Sequence, residues 1–163
     1  MKEIIGAMVT PFSDEDVIDY EEVKKLLKQY EDSGHSAVVV AGTTGEESAL
    51  SIKEKIELIN FVIKNTSLKV IVGVAENNTA KAIEQINIMN SLKVDAVLLS
   101  LPFYNKPPQR GIFLHLKKIL SLTAHPIIIY NVPSRTGISI EYQTIKKLLH
   151  LSNKLIGIKE CSN

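Results

Sequence analysis

The sequence predicts an α/β fold of the (β/α)₈ TIM-barrel type, truncated to about six strands and five helices. Three observations carry that prediction. Short apolar runs recur at Ile4–Val9, Ala37–Val40, Val70–Val74, Ala96–Leu99, Ile127–Tyr130 and Leu155–Ile158. Each is rich in Val and Ile and does not alternate, as a parallel strand buried on both faces requires. Segments with helical spacing separate them, and the strand starts lie roughly thirty residues apart, the length of one strand-helix unit.

The helices follow in order. Val23, Leu26, Leu27 and Tyr30 mark the first, which Ser33-Gly34 ends. Ile52, Ile56, Ile59 and Ile63 share one face of the second, and Ser51 with Glu54 forms its capping box. Asn78 caps the third, which carries Ala82, Ile83, Ile86 and Met89. Leu116, Ile119 and Leu120 mark the fourth, and Ile145, Leu148 and Leu149 the fifth.

A doubly wound nucleotide-binding sheet is the competing architecture, and it calls for a glycine-rich phosphate loop after the first strand. Here that strand runs into Thr10-Pro11-Phe12 instead. A whole barrel takes about 250 residues, so residues 1–163 read as the N-terminal portion of one barrel domain. The remaining units and a helical C-terminal region are absent on this reading. With strand edges unpaired and an open apolar interior, residues 1–163 alone are expected to be inactive and to aggregate or depend on association.

Composition narrows the classes. The chain is 45% hydrophobic and 23% charged with a net charge of +1, and its basic residues form no stripe of the kind that binds nucleic acid. A single cysteine, Cys161, excludes an internal disulfide framework and fits a reducing compartment. No signal peptide or membrane span is visible, which points to the cytoplasm. The four histidines (His35, His115, His125, His150) lack metal-ligand spacing, and there is no Gly-x-Ser-x-Gly elbow.

Polar residues concentrate where strands turn into helices, the face on which barrels collect chemistry. Lys159 ends the sixth run. In an apolar, confined place desolvation would leave its amine free to attack a carbonyl, although a lysine reaching from a strand end to water is the common alternative. Tyr130 ends a run of three isoleucines and offers a hydroxyl for proton transfer, or it is a core aromatic. Thr43-Thr44 lies between Gly42 and Gly45. There the backbone can approach an anion such as a carboxylate, or the hydroxyls serve only a turn. Arg135 has the shape to hold a carboxylate with two parallel bonds, or makes a surface ion pair.

Four segments together resemble the dihydrodipicolinate synthase family: Gly42-Thr43-Thr44-Gly45-Glu46, Tyr104-Asn105-Lys106-Pro107, Tyr130 through Gly137, and Gly157-Ile158-Lys159-Glu160. The resemblance begins at Gly6 and covers essentially the whole chain. It implies a class I aldolase that joins pyruvate to L-aspartate 4-semialdehyde, giving 4-hydroxy-tetrahydrodipicolinate in lysine and diaminopimelate biosynthesis. By this match Lys159 forms the imine with pyruvate. Tyr130, Thr43 and Tyr104 form a proton relay, with Tyr104 reaching into a partner subunit. Thr44 and Gly45 bind substrate, Thr44 holding the pyruvate carboxylate, and Arg135 faces the carboxylate of the semialdehyde. No metal or organic cofactor is implied, and the whole protein is expected to be a dimer of dimers.

N-acetylneuraminate lyase and other keto-sugar-acid aldolases are the nearest rivals. The lyase tends to have Ser-Thr in place of Thr43-Thr44 and an apolar residue where Arg135 stands. A non-catalytic binding or assembly module is the alternative of another class. Three departures from the family pattern stand out: the missing strand-helix units, Phe103 and Lys81 where lysine-inhibited members have Tyr and Glu, and Ala75-Glu76 where many have Gly-Ala. Lys81 would repel a cationic effector, so feedback by lysine is expected to be weak or absent.

Overall fold

The computed structural model describes residues 3–162, grouped into two compact units. The first comprises residues up to Gly73 with Lys93–Asp95, the second Val74–Leu92 with Ala96 onward.

In the first unit, β1 (Ile5–Ala7) leads to α1 (Tyr20–Asp32), β2 (Ala37–Val40), a 3-10 turn at Glu47–Ala49, α2 (Ile52–Asn65) and β3 (from Lys69). The strands are parallel in chain order, Ile5 pairing with Ala37 and Ala37 with Lys69. β1 therefore pairs with β2 and not with β3, unlike the central first strand of a doubly wound sheet. α1 starts on Asp19, whose carboxylate accepts from the amides of Glu21 and Glu22, and Ser33 ends it as predicted. The Ser51–Glu54 capping box is also present. β3 runs beside β2, and its Gly73 comes close to the backbone just past the end of β2. A Cβ on Gly73 would fall 2.2 Å from the Ala41 carbonyl oxygen, so only glycine lets the two backbones meet there.

The second unit contains α3 (Thr79–Met89), β4 (Ala96–Ser100), α4 (Gln109–Leu120), β5 (Ile127–Asn131), α5 (Pro133–Thr136), α6 (Tyr142–Leu151) and β6 (Leu155–Glu160). Here too the strands are parallel and in chain order, β4 beside β5 and β5 beside β6. Asn78 caps α3 through the amides of Ala80 and Lys81.

Three expectations are corrected. The first run forms a strand only over Ile5–Ala7, and there Gly6 is buried while Ile5 is 47% exposed. β6 likewise buries Leu155 but exposes Ile156. β5, although paired on both sides, also alternates, with Ile128 and Tyr130 only half-buried, so burial on both faces holds for β2, β3 and β4 alone. In α2 the buried stripe is Lys55, Leu58, Ile59 and Val62, not Ile52, Ile56, Ile59 and Ile63. Both stripes have helical spacing, and the second leaves Ile52 beside the exposed cap. In α6, Leu148 is buried with Thr144, while Leu149 is exposed.

His115 is buried on α4, where Nδ1 lies 2.9 Å from the Thr79 hydroxyl. Burial disfavours the imidazolium and lowers the His115 pKa from its ordinary 6.5 to about 4. Between those values the unfolded chain binds the proton and the folded chain does not. His115 therefore contributes stability that is fully present above about pH 6.5 and is lost as the pH falls through about 4, on the order of 3 kcal/mol at most. Urea unfolding across that window is expected to show the slope, and His115→Gln to flatten it.

Candidate active site

In the second unit, three adjacent strands place Ser100, Tyr130 and Lys159 in one row: Ser100 pairs with Tyr130 and Tyr130 with Lys159. Paired residues of parallel strands project from the same face. The half-buried Lys159 Nζ lies 4.3 Å from the centre of the half-buried Tyr130 ring. An ammonium at that distance is attracted to the ring face, by about 0.5–2 kcal/mol depending on solvation. The pair thus sets an amine against the ring of a phenol.

Ser100 was not singled out by sequence. Its hydroxyl is buried and meets no hydrogen-bond partner among the described residues. A serine ending an apolar run is only a weak signal. Because its hydroxyl has no protein acceptor, Ser100→Ala is expected to leave stability unchanged or raise it by up to about 1 kcal/mol in thermal melts.

The neighbouring residues point the other way. Asn131, buried, donates from Nδ2 to both carboxylate oxygens of Glu160 at 2.9 Å. That bond and those from Ser162 hold the Glu160 pKa below the usual carboxylate value. Arg135 lies within the single-turn helix α5, where the sequence reading expects a loop. It is exposed and makes no ion pair among the described residues. Tyr104 is 85% exposed after β4 and sits at φ +67°, with Lys106 at φ +46°. Left-handed backbone at such residues costs about 1–3 kcal/mol and persists only where surrounding structure imposes it.

The first unit carries the other predicted segment. Directly after β2, Ala41 sits at φ +48°, and the chain turns through Gly42, Thr43, Thr44 and Gly45 to Glu46, at φ +54°. Thr43 and Thr44 are exposed at the crest, and Gly45 is buried beneath. The turn is held from several sides. Thr10 Oγ1 donates to the Gly45 carbonyl at 2.6 Å, the Glu46 amide to Thr43, and the Glu47 amide to Gly42. A Cβ on Gly45 would lie 2.9 Å from the Met8 carbonyl oxygen. Glu47 in turn accepts from the buried Lys55 Nζ at 2.7 Å. Nothing in the sequence hints at this ion pair, because Lys55 sits in a helix rich in other charges.

Among the described residues no group of three His, Cys, Asp or Glu could hold a metal ion, and no helix is long and apolar enough to cross a membrane. Cys161 is exposed.

Parallel strands in chain order, joined one to the next by helices, define the (β/α)-barrel class. The chain belongs to the Dihydrodipicolinate synthetase family, which matches residues 1–163. It is 39% identical over 161 residues to 4-hydroxy-tetrahydrodipicolinate synthase 1 of Halalkalibacterium halodurans, covering 98% of this chain and 54% of the relative. Dihydrodipicolinate synthase from Aquifex aeolicus superposes with a TM-score of 0.93 at 35% identity, covering 99% of this chain and 56% of that one. The chloride-inhibited enzyme of Acinetobacter baumannii, complexed with pyruvate, gives 0.91 at 37% identity, covering 96% and 54%. The chain thus spans about half the length of the proteins it matches.

Proposed function

We propose that this chain carries the imine-forming part of a lyase that condenses pyruvate with L-aspartate 4-semialdehyde in lysine and diaminopimelate biosynthesis. The observation that carries the reading is the Lys159 amine against the Tyr130 ring on adjacent strands. Membership of the family supports it, as does pyruvate in the Acinetobacter baumannii enzyme.

In this mechanism the Lys159 amine adds through its nitrogen to the C2 carbonyl of pyruvate. Tyr130 passes a proton to the departing oxygen, and water leaves the carbinolamine to give the imine. Loss of a C3 proton gives the enamine, whose C3 attacks the aldehyde carbon of the semialdehyde while the aldehyde oxygen takes up a proton. The semialdehyde's amino group then adds to C2, and the Lys159 amine leaves as the ring closes. Thr43 and Tyr104 extend the proton relay, and the 85% exposure of Tyr104 suits reach into a second copy of the chain. Thr44 and Gly45 hold the pyruvate carboxylate, and the exposed Arg135 receives that of the semialdehyde. All the carbonyl chemistry runs through the Lys159 imine, so the reaction calls for no metal or organic cofactor. The exposed Lys81 disfavours a cationic effector.

The test is pyruvate consumption by the protein as its gene encodes it, with and without aspartate 4-semialdehyde. Consumption that depends on the aldehyde and is lost in Lys159→Ala is expected. Consumption undiminished in Lys159→Ala would refute the role of that residue.

A further inference from the structure

The pairing of β5 with β6 is not continuous. Ile127 faces Leu155, but Ile128 faces Gly157, so Ile156 is an extra residue in β6, 58% exposed. From there the pairing runs in step: Ile129 with Ile158, Tyr130 with Lys159, Asn131 with Glu160. Without the extra residue Tyr130 would face Ile158. Side chains alternate between faces along a strand, so Lys159 would then leave the face that Tyr130 occupies. A bulge of this kind re-aims a side chain at the cost of one unpaired residue.

A bulge needs something to hold it. One residue beyond the Tyr130–Lys159 pair, Asn131 is 2% exposed and gathers three segments. Its Nδ2 donates to both Glu160 carboxylate oxygens and lies 3.0 Å from the Ser139 hydroxyl. Its Oδ1 accepts from the Ile140 amide at 3.2 Å, and its backbone oxygen accepts from the Cys161 amide at 2.9 Å. Ser162 donates from its amide to Glu160 at 2.8 Å. A one-residue slip would separate Asn131 from Glu160 and leave the buried Nδ2 with the Ser139 hydroxyl alone.

We infer that Asn131 and Glu160 are positioning residues: their side-chain bond locks the bulged register that sets Lys159 against Tyr130. The functional meaning rests on the imine-forming role proposed for Lys159, whereas the register itself does not.

The test compares wild type, Asn131→Asp and the double variant Asn131→Asp/Glu160→Gln. In the single variant two carboxylates face each other. In the double variant the new glutamine amide on β6 donates to the new carboxylate on β5, restoring the bond with its direction reversed. The Ile140 contact survives in both. Two readouts are taken on protein whose fold is checked by circular dichroism. One is borohydride trapping of pyruvate over a concentration series. The other is acylation of Lys159 by acetic anhydride relative to the exposed Lys53, read by peptide mass mapping, which needs no pyruvate chemistry.

Asn131→Asp is expected to slow trapping at saturating pyruvate about tenfold or more, as misplacement of a reacting group does. The half-saturating concentration should change little, Lys159 acylation should rise as the amine leaves the ring, and the double variant should restore both. A folded Asn131→Asp with wild-type trapping and acylation overturns the lock, as does a double variant no better than the single one. If Asn131→Asp does not fold, recovery of fold and acylation in the double variant decides. If wild type traps no pyruvate, the proposed function fails, and acylation alone still judges the register.

Discussion

Lys55→Met is expected to destabilise the chain by about 3–5 kcal/mol, the cost of breaking a buried ion pair by removing one partner. Lys55 is 2% exposed on the face of α2 that carries Leu58, Ile59 and Val62, and its ammonium lies 2.7 Å from the Glu47 carboxylate. Methionine fills much the same volume but leaves the carboxylate buried without that cation. The penalty falls on the turn that presents Thr43 and Thr44, since the Glu47 amide also closes that turn onto Gly42. Adding Glu47→Leu should recover much of the loss, because a buried pair replaced on both sides by apolar groups is often close to neutral. Urea unfolding of both single variants and the double variant measures the coupling. Additive effects would show that the two side chains act independently.

Tyr130→Phe is expected to slow imine formation by about 10²-fold or more while leaving the fold intact. The change removes only the hydroxyl. The ring that faces the Lys159 ammonium at 4.3 Å stays, as does the pairing of position 130 with Ser100 and Lys159. Lys159 should still be labelled by pyruvate and borohydride, but slowly, and the melting temperature should move little. A wild-type rate of labelling would remove Tyr130 from the proton relay and leave it as a packing partner of the lysine.

Most of the fold was legible because it is written locally. The Ser51–Glu54 box, the Asn78 cap and the Ser33 helix end depend on residues within a turn of one another, and the structure has all three. The continuous apolar runs marked β2, β3 and β4 because both faces of those strands are covered. What stayed hidden depends on partners distant in sequence. The buried face of α2 was ambiguous because the isoleucine stripe and the Lys55–Val62 stripe have the same spacing. The bulge at Ile156 exists only relative to β5, so no pattern within β6 announces it. The left-handed backbone at Ala41, Glu46 and Tyr104 is imposed from outside on residues that do not favour it.

The candidate site was legible in a different way. Lys159, Tyr130, Thr43, Thr44 and Arg135 drew attention as reactive or charged groups at strand ends, and the structure puts two of them, Lys159 and Tyr130, against each other. Their roles came from family resemblance, since a lysine at a strand end fits water as well as it fits a substrate. Ser100 and Asn131 escaped notice because a hydroxyl and an amide are common in loops and turns. Only their burial and register single them out.

The central claim is that Lys159 forms the imine with pyruvate. Borohydride reduction in the presence of pyruvate, followed by peptide mass mapping of the protein as its gene encodes it, tests this most directly. A single pyruvate-dependent adduct on the peptide containing Lys159 is the expected result. No adduct, or one on another lysine with Lys159 unmodified, would contradict it.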